Sequence, residues 1–426
     1  MIKLPGDVYL VGGAVRNKLL GLDIDERDWL VVGCSVTQIE NLGFKCVGKD
    51  FPVFLHPETK DEYALARTER KTGPGHLGFE INSSEEVSLE EDLSRRDLTI
   101  NAIAEDTEGK LHDPYDGLTD IHNKTLRHVT NAFREDPLRV LRVARFAAQF
   151  HHLGFTIATE TLALMTEMSQ SNELSTLPAE RIWRETEKAL ATKNPRVFFE
   201  TLRECSALNR VYPEIDALFG VPQRPEYHPE IDTGLHTMLA LDQICEQTDD
   251  KQMRFATLVH DLGKATTPKE LLPSHHGHEE RSAQLTERLC DRLNIPNNYR
   301  KLAVRVARYH LHCHRALELK PSSLEKLLSN LDAWRTNGYV TGFVNCCLAD
   351  ARGRTGLEER RYPQFQFLLD CAKAASDIDI AQLQKQGFEG EKLGQAIKQS
   401  RIKTLASIKK QYSDIDEKQF AKAKPC

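Results

Sequence analysis

No stretch of the chain approaches the roughly 18 consecutive apolar residues that cross a bilayer. The short run Val8 to Val11 is cut by Gly12-Gly13, so no signal peptide is evident either. These absences exclude a membrane partner and lead to the expectation of a cytoplasmic protein. There is no CxxC pair among the ten cysteines, which are scattered along 426 residues. Packed, reduced thiols are expected instead of a disulfide scaffold. Net positive charge is also missing, the formal total being −6. That deficit does not exclude a nucleic-acid ligand, because phosphate contacts need clustered Lys and Arg and not a positive sum. Local clusters exist: residues 401–426 carry seven Lys or Arg against three acids, and Arg134, Arg139, Arg142 and Arg145 crowd one stretch. Solvated helix faces explain such clusters equally well. No fixed-period repeat and no long low-complexity segment is present.

The length calls for two or more domains, and 40% hydrophobic with 28% charged residues is a globular composition. The first 130 residues mix short β-branched runs (Val8 to Val11, Trp29 to Val32, Glu62 to Arg67) with Gly-rich turns, an α/β pattern. From about Glu135 helical periodicities dominate, as in PLRVLRVARFAAQF and AERIWRETEKALAT, and strand signals almost vanish. The stretch VPQRPEYHP, with Pro222, Pro225 and Pro229, cannot continue a helix and marks a linker.

Four segments of the first half carry chemistry. VYLVGGAVRNKLLG puts Gly12-Gly13 between a strand and a helix, where backbone N–H groups can approach a phosphate and Arg16 can hold a triphosphate. A tight turn is the plainer reading of the same pair. DERDWLVVG sets Glu26 and Asp28 two residues apart at the start of an apolar strand, so that both carboxylates face one side. Such a pair can bind two divalent ions for phosphoryl transfer, or can be a polar strand start and nothing more. Arg95, Arg96 and Asp97 open RRDLTINA, in isolation a surface ion-pair group. EDPLRVLRVARF predicts a helix with Pro137 in its first turn and Asp136, Arg139, Arg142 and Arg145 at every third position. Three-residue steps spread these arginines over roughly 120° of one face, which by itself is a solvated basic stripe.

Together and in order, GGAVRN, ERDW, RRDLTINA and EDPLRVLRVARF resemble the class II tRNA nucleotidyltransferases of the DNA polymerase β superfamily. The likeness continues almost to the C-terminus toward the bacterial members that carry an HD phosphohydrolase domain. It implies an α/β, polymerase β-like nucleotidyltransferase head followed by an all-α neck, body and HD domain. The implied boundaries are 1–133 for the head, 134–222 for a helical neck and body that select the base and bind tRNA, 228–330 for the HD domain, and 331–426 for a helical tail. It further implies that Glu26 and Asp28 are catalytic and hold Mg2+, and that Gly13, Arg16, Arg96, Arg142 and Arg145 contact the incoming ATP or CTP. Asp136 and Arg139 match the positions that read its base. Cytosine and adenine both offer an amino group to a carboxylate and an adjacent ring nitrogen to an arginine, whereas guanine and uracil present a carbonyl there. Two residues depart from the family: Glu26 stands where Asp is usual, and Asn17 where an Asp usually follows the Arg. Glu still ligates Mg2+, through a longer stem.

Nine of the 16 histidines lie between His228 and His314, in HPEIDTGLHT, VHDLGK, SHHGHEERSA and RYHLHCH. A lone helical His is usually a packing residue. An adjacent His-Asp pair flanked by further histidines is better explained by a metal. VHDLGK resembles the HD signature, which implies that His260 and Asp261 bind a divalent metal that activates water, with His236 as the preceding ligand. His278 and His310 are further candidates, and Leu311 stands where related proteins can carry an Asp. The resemblance implies phosphatase, 2′-nucleotidase and 2′,3′-cyclic phosphodiesterase activities with Ni2+ or another divalent metal.

The expected function is template-independent addition of CCA to tRNA 3′ ends, from CTP and ATP, by a monomer or homodimer. A poly(A) polymerase shares the head but adds only AMP and commonly ends in a longer, strongly basic extension. An HD phosphohydrolase whose head merely binds nucleotide is the other enzyme to weigh. A noncatalytic tRNA-binding protein would leave both constellations idle.

Overall fold

The computed structural model describes residues 4–24, 26–47, 53–71, 79–82, 84–335 and 338–420, in two compact units, Met1–Val211 and Tyr212–Cys426. In the first unit the β-branched runs become β1 (Asp7–Val11), β2 (Asp28–Val32), β3 (Lys45–Cys46), β4 (Val53–Leu55), β5 (Glu62–Leu65), β6 (Thr68–Lys71), β7 (Phe79–Asn82), β8 (Ala104–Asp106) and β9 (Leu111–His112). Seven of them form one mixed sheet in the order β3-β4-β5-β2-β1-β8-β9, while β6 and β7 pair as a separate antiparallel ribbon.

Alternation along the strands divides the core in two. Val11, Leu30, Ala66 and Ala104 pack with Leu93, whereas Val31, Leu65 and Phe54 pack with Ile39 and Phe44. Strand β1 is antiparallel to both β2 and β8, with Val11 opposite Asp28 and opposite Ala104. The end of β1, the start of β2 and the start of β8 therefore share one edge. This register corrects one expectation: β2 begins at Asp28, so Glu26 precedes the strand and strand alternation does not set its direction.

Beyond Glu135 the described part of this unit is helical except for β11 (Thr156–Ile157), parallel to β10 (Thr125–Leu126). The helix Leu138–Phe150 starts where Pro137 leaves off, and the Asp136 carboxylate accepts from the Leu138 N–H at 3.0 Å, satisfying an orphan donor. Its arginine row is not a solvated stripe, because Arg139 and Arg145 are only 7% and 8% exposed.

The second unit is built from helices. Asp232 caps the helix Thr233–Gln247 and Asp250 caps Lys251–Leu258, which ends just before His260-Asp261. His278–Arg292, Asn297–His314 and Val340–Arg352 follow, then Gln364–Ser376 and the long Gly390–Phe420. The Pro-rich stretch expected to be a linker falls inside this unit and is hydrogen-bonded into it, although residues 224–227 are exposed. Gln223 is buried, its N–H donates to Ile231 O at 2.6 Å, and the Thr233 N–H donates to Val221 O at 3.0 Å. Among the described residues no helix is long and apolar enough to cross a membrane, and the described cysteines are free thiols.

Candidate functional site

In the first unit Gly12 adopts φ 68°, a conformation that favours glycine, and opens the helix Gly13–Leu20. A Cβ on Gly12 would sit 3.1 Å from Arg96 Nη1 and 3.9 Å from Asp28 Oδ2, so the missing side chain keeps these groups around one open spot. Burial raises the Asp28 carboxyl above its ordinary range; Arg96 opposes this and Glu26 adds to it.

Arg16 is buried, with Nη1 2.5 Å from Asn101 Oδ1 and Nη2 2.8 Å from Asn17 Oδ1. Here an amide, at the position where the family usually has Asp, holds the guanidinium. Burial lowers the Arg16 pKa to about 10, and neighbouring Arg145 and Arg142 push the same way. Three guanidinium groups gather on one ring: Arg16, Arg142 and Arg145 lie 5.2, 5.7 and 3.9 Å from the Phe146 centroid. Carboxylates hold the last two in place. Arg142 Nε bonds Asp97 at 2.7 Å and Arg145 Nε bonds Glu185 at 2.6 Å. Burial alone would raise the Asp97 carboxyl, yet Arg142 and Asn101 hold it well below the usual carboxylate range. Asp92, fully buried, pairs with Arg95 at 2.5 Å and Arg96 at 3.1 Å.

Asp136 and Arg139 both have protein partners. Asp136 Oδ2 pairs with Arg181 at 2.8 Å, while Arg139 donates to Ala132 O at 2.7 Å and Arg95 O at 2.6 Å. Sequence reasoning missed Asp92, Asn101, Phe146, Arg181 and Glu185 as site members. The last two lie in AERIWRETEKALAT, read only for its period.

In the second unit His236, His260 and Asp261 come together, joined by His278 and His310 and by Asp350, which the sequence reading did not single out. Ligand atoms fall into groups His236–His260–Asp350 and Asp261–His278–His310, each within 4.8 Å, with His228–Glu230–His236 beside them. Four rings donate Nδ1–H to main-chain carbonyls: His236 to Gly353 at 2.9 Å, His260 to Thr257 at 2.7 Å, His278 to His275 at 2.7 Å and His310 to Ala307 at 3.0 Å. A carbonyl cannot donate, so in the neutral rings every Nε2 lone pair points into the cluster.

These lone pairs meet carboxylates and one another. His236 Nε2 is 3.1 Å from Asp350 Oδ1, His260 Nε2 is 3.2 Å from Asp261 Oδ2, and His278 and His310 face each other at 3.2 Å. His260 Nε2 and Asp261 Oδ1 are buried without a hydrogen bond. Burial holds His310 well below its ordinary pKa. Lys264 brings one cation, 2.6 Å from Asp261 Oδ2. Inward lone pairs around two carboxylates can supply the donor set of a divalent ion, and carbonyl bonds behind the rings are the kind of support such ligands use. Leu311 lines a cavity beside this cluster.

A model described as the Poly A polymerase head domain matches residues 8–127, one for a probable RNA- and SrmB-binding site of polymerase A matches 154–219, and the HD domain matches 233–334. The Multifunctional CCA protein of Teredinibacter turnerae is 54% identical over 402 residues, 94% of this chain and 98% of that one. That of Shewanella denitrificans is 55% identical over 94% of this chain and 97% of its own. Solved structures share the fold. A CCA-adding enzyme with CTP has a TM-score of 0.62 at 20% identity, covering 94% of this chain and 87% of that one. A Thermotoga maritima CCA-adding enzyme complexed with tRNA has 0.63 at 18%, covering 95% and 90%. With a polymerase-type head, an HD domain and more than half of its residues shared along nearly the full length, the chain belongs to the multifunctional CCA proteins.

Proposed function

We propose that the head transfers CMP twice and AMP once to the 3′-hydroxyl of tRNA, without a template, and that the second unit hydrolyses phosphoesters, in a cytoplasmic setting. The observation that carries the first activity is the convergence of Arg16, Arg142 and Arg145 on Phe146. Three cations in one place call for a polyanion, and a nucleoside triphosphate supplies it. Gly13 lets its phosphates approach the backbone, and Arg96 reaches them from beside Gly12. In the reaction the 3′-oxygen bonds to the α-phosphorus and the bond to pyrophosphate breaks. Glu26 and Asp28 would hold Mg2+, which when bound favours ionisation of the attacking hydroxyl and steadies the leaving pyrophosphate. Asp136 and Arg139 read the base, exchanging Arg181 and the two main-chain carbonyls for the amino group and ring nitrogen that cytosine and adenine share.

In the second unit His236, His260 and Asp261, with His278, His310 and Asp350, would hold one or two divalent ions, Ni2+ among them, whose contribution is a water of lowered pKa. The orphaned His260 Nε2 and Asp261 Oδ1 support this assignment. Monoesters and 2′,3′-cyclic diesters of nucleotides are the proposed substrates.

Purified protein, tRNA truncated at each terminal position and each NTP supplied singly with Mg2+ test the transferase. CMP should join tRNA lacking CCA or CA, and AMP only tRNA ending in CC. Runs of AMP on any acceptor would favour a poly(A) polymerase, and hydrolysis without transfer a phosphohydrolase with a nucleotide-binding head.

A further inference from the structure

The third donor group of the second unit, His228–Glu230–His236, differs in kind from the other two. His236 Nδ1 lies 2.9 Å from Gly353 O and 3.1 Å from Glu230 Oε1. A carbonyl only accepts, so this nitrogen carries the proton, shares it between the two oxygens and has no lone pair for an ion. The group is therefore not a further metal site, although its atoms lie within 4.8 Å of one another. It is a carboxylate set behind an imidazole whose other nitrogen faces Asp350. His228 Nδ1 meets the same Glu230 Oε1 at 3.0 Å, so one carboxylate oxygen serves two rings.

The backbone is bent to put that carboxylate there. Ile231 has φ 63°, and the Asp232 N–H donates across it to Glu230 O at 2.7 Å. This is the positive-φ form of a three-residue turn, rare in general and strained for a β-branched residue. Burial of Ile231 does not offset the strain, because that residue is 47% exposed. What the turn buries is its neighbour: the Glu230 side chain is 3% exposed, and its Oε2 has no hydrogen bond. Burial alone would raise the Glu230 carboxyl, yet the His228 and His236 N–H groups hold it well below the usual carboxylate range. A buried anion with one oxygen unmatched is costly unless positive charge sits nearby. An ion on the far nitrogen of His236 would be that charge.

We infer that Glu230 is a positioning residue that acts through His236 to set the affinity of the second unit for a divalent ion. Gly353 O fixes the direction of the ring. Glu230 draws on the ring's proton with a full negative charge, which makes Nε2 a stronger donor. The coupling is mutual, since the ion favours the buried carboxylate as much as the carboxylate favours the ion. This rests on the hydrolase reading above, because it needs an ion at the donor cluster.

The test titrates Ni2+ into the full chain, freed of metal by a chelator, and follows binding by calorimetry. Asp261→Asn identifies the heat that belongs to the second unit. Glu230→Gln keeps the shape and an accepting oxygen but removes the charge. It should weaken Ni2+ binding at that site by about ten- to a hundredfold, with the number of bound ions unchanged. Thermal unfolding separates this from a structural role. Without metal, Glu230→Gln should unfold at the wild-type temperature or slightly above it, since an unmatched buried charge is gone; with Ni2+ it should gain less than the wild type. Wild-type affinity in Glu230→Gln overturns the inference. So does the loss of one bound ion, which would make Glu230 a ligand, or a metal-free midpoint well below the wild type's, which would make it structural. If the wild type gives no Ni2+ heat that Asp261→Asn abolishes, the hydrolase reading is struck and the inference falls with it.

Discussion

The two units treat their charged clusters in opposite ways. In the first, each guanidinium of the cluster has a protein partner: Arg142 with Asp97, Arg145 with Glu185, Arg96 with Asp92, and Arg16 with two amides. In the second, four imidazole lone pairs and two carboxylates converge with only two cations, Lys264 on Asp261 and Arg354 on Asp350. A site for a large, mobile polyanion has to hold its cations in place before the ligand arrives, so it carries its own counterions. A site for a small cation has to keep donors ready, so it gathers more donors than its own cations can match.

The widest separation should come from exchanging one carboxylate in each unit. Asp28→Asn is expected to cut CMP and AMP transfer about a thousandfold while phosphoester hydrolysis persists, and Asp261→Asn to do the reverse. Parallel assays on tRNA lacking CCA and on a 2′-nucleotide check this. If either variant loses both activities, the division of labour breaks.

Next in size is the response to metal. Adding a divalent ion at a hundred times its Kd to chelator-treated protein should stabilise the second unit by about 2.7 kcal/mol. Calorimetry should detect that gain in the wild type and in Asp28→Asn but not in Asp261→Asn. A gain that survives Asp261→Asn would remove the second unit's cluster as its source.

Asp136→Ala sharpens the comparison from the other side, since it removes a group that already has a protein partner. Discrimination against UTP and GTP should fall by roughly ten- to a hundredfold, read by competition between nucleotides. An unchanged preference for CTP and ATP would take base reading away from this residue.

The smallest effect concerns acid. The folded Asp97 carboxyl titrates well below the ordinary value near 3.9 for the unfolded chain, so its pairing stabilises the fold fully above that value and is lost as pH falls below it. Between pH 5 and 3 the unfolding midpoint of the wild type should drop more steeply than that of Asp97→Asn, by a few degrees. Parallel curves would show that Arg142 does not depend on the charge of Asp97.

Much of this was legible because it is local. Gly12-Gly13 between a strand and a helix, Asp28 at a strand start and the His260-Asp261 pair are contiguous signals, and the period of 138–150 marks a helix, though not the burial of its arginine row. What escaped is tertiary. Asp350 reaches His236 across 114 residues, and Glu185 reaches Arg145 across 40. The lone acid in the mostly apolar run VTGFVNCCLADAR was the available clue to the first. Glu26 was placed on the strand because spacing reveals alternation but not where a strand begins. Prolines at 222, 225 and 229 suggested a break between domains, since a sequence reports that a helix stops and not that the loop packs.

The carbonyl bonds behind the four histidines have a further consequence. A ring anchored to main chain cannot be re-aimed by a neighbouring side chain, and turns only if a backbone segment slides. Surface variation around the second unit should therefore drift freely without retuning its choice of ion. Positions such as Gly263, where a methyl would collide with the main chain of His278 and Ser282, should be closed to change although they touch no ligand. Selectivity in that unit is written into its scaffold, and altering it requires moving a helix.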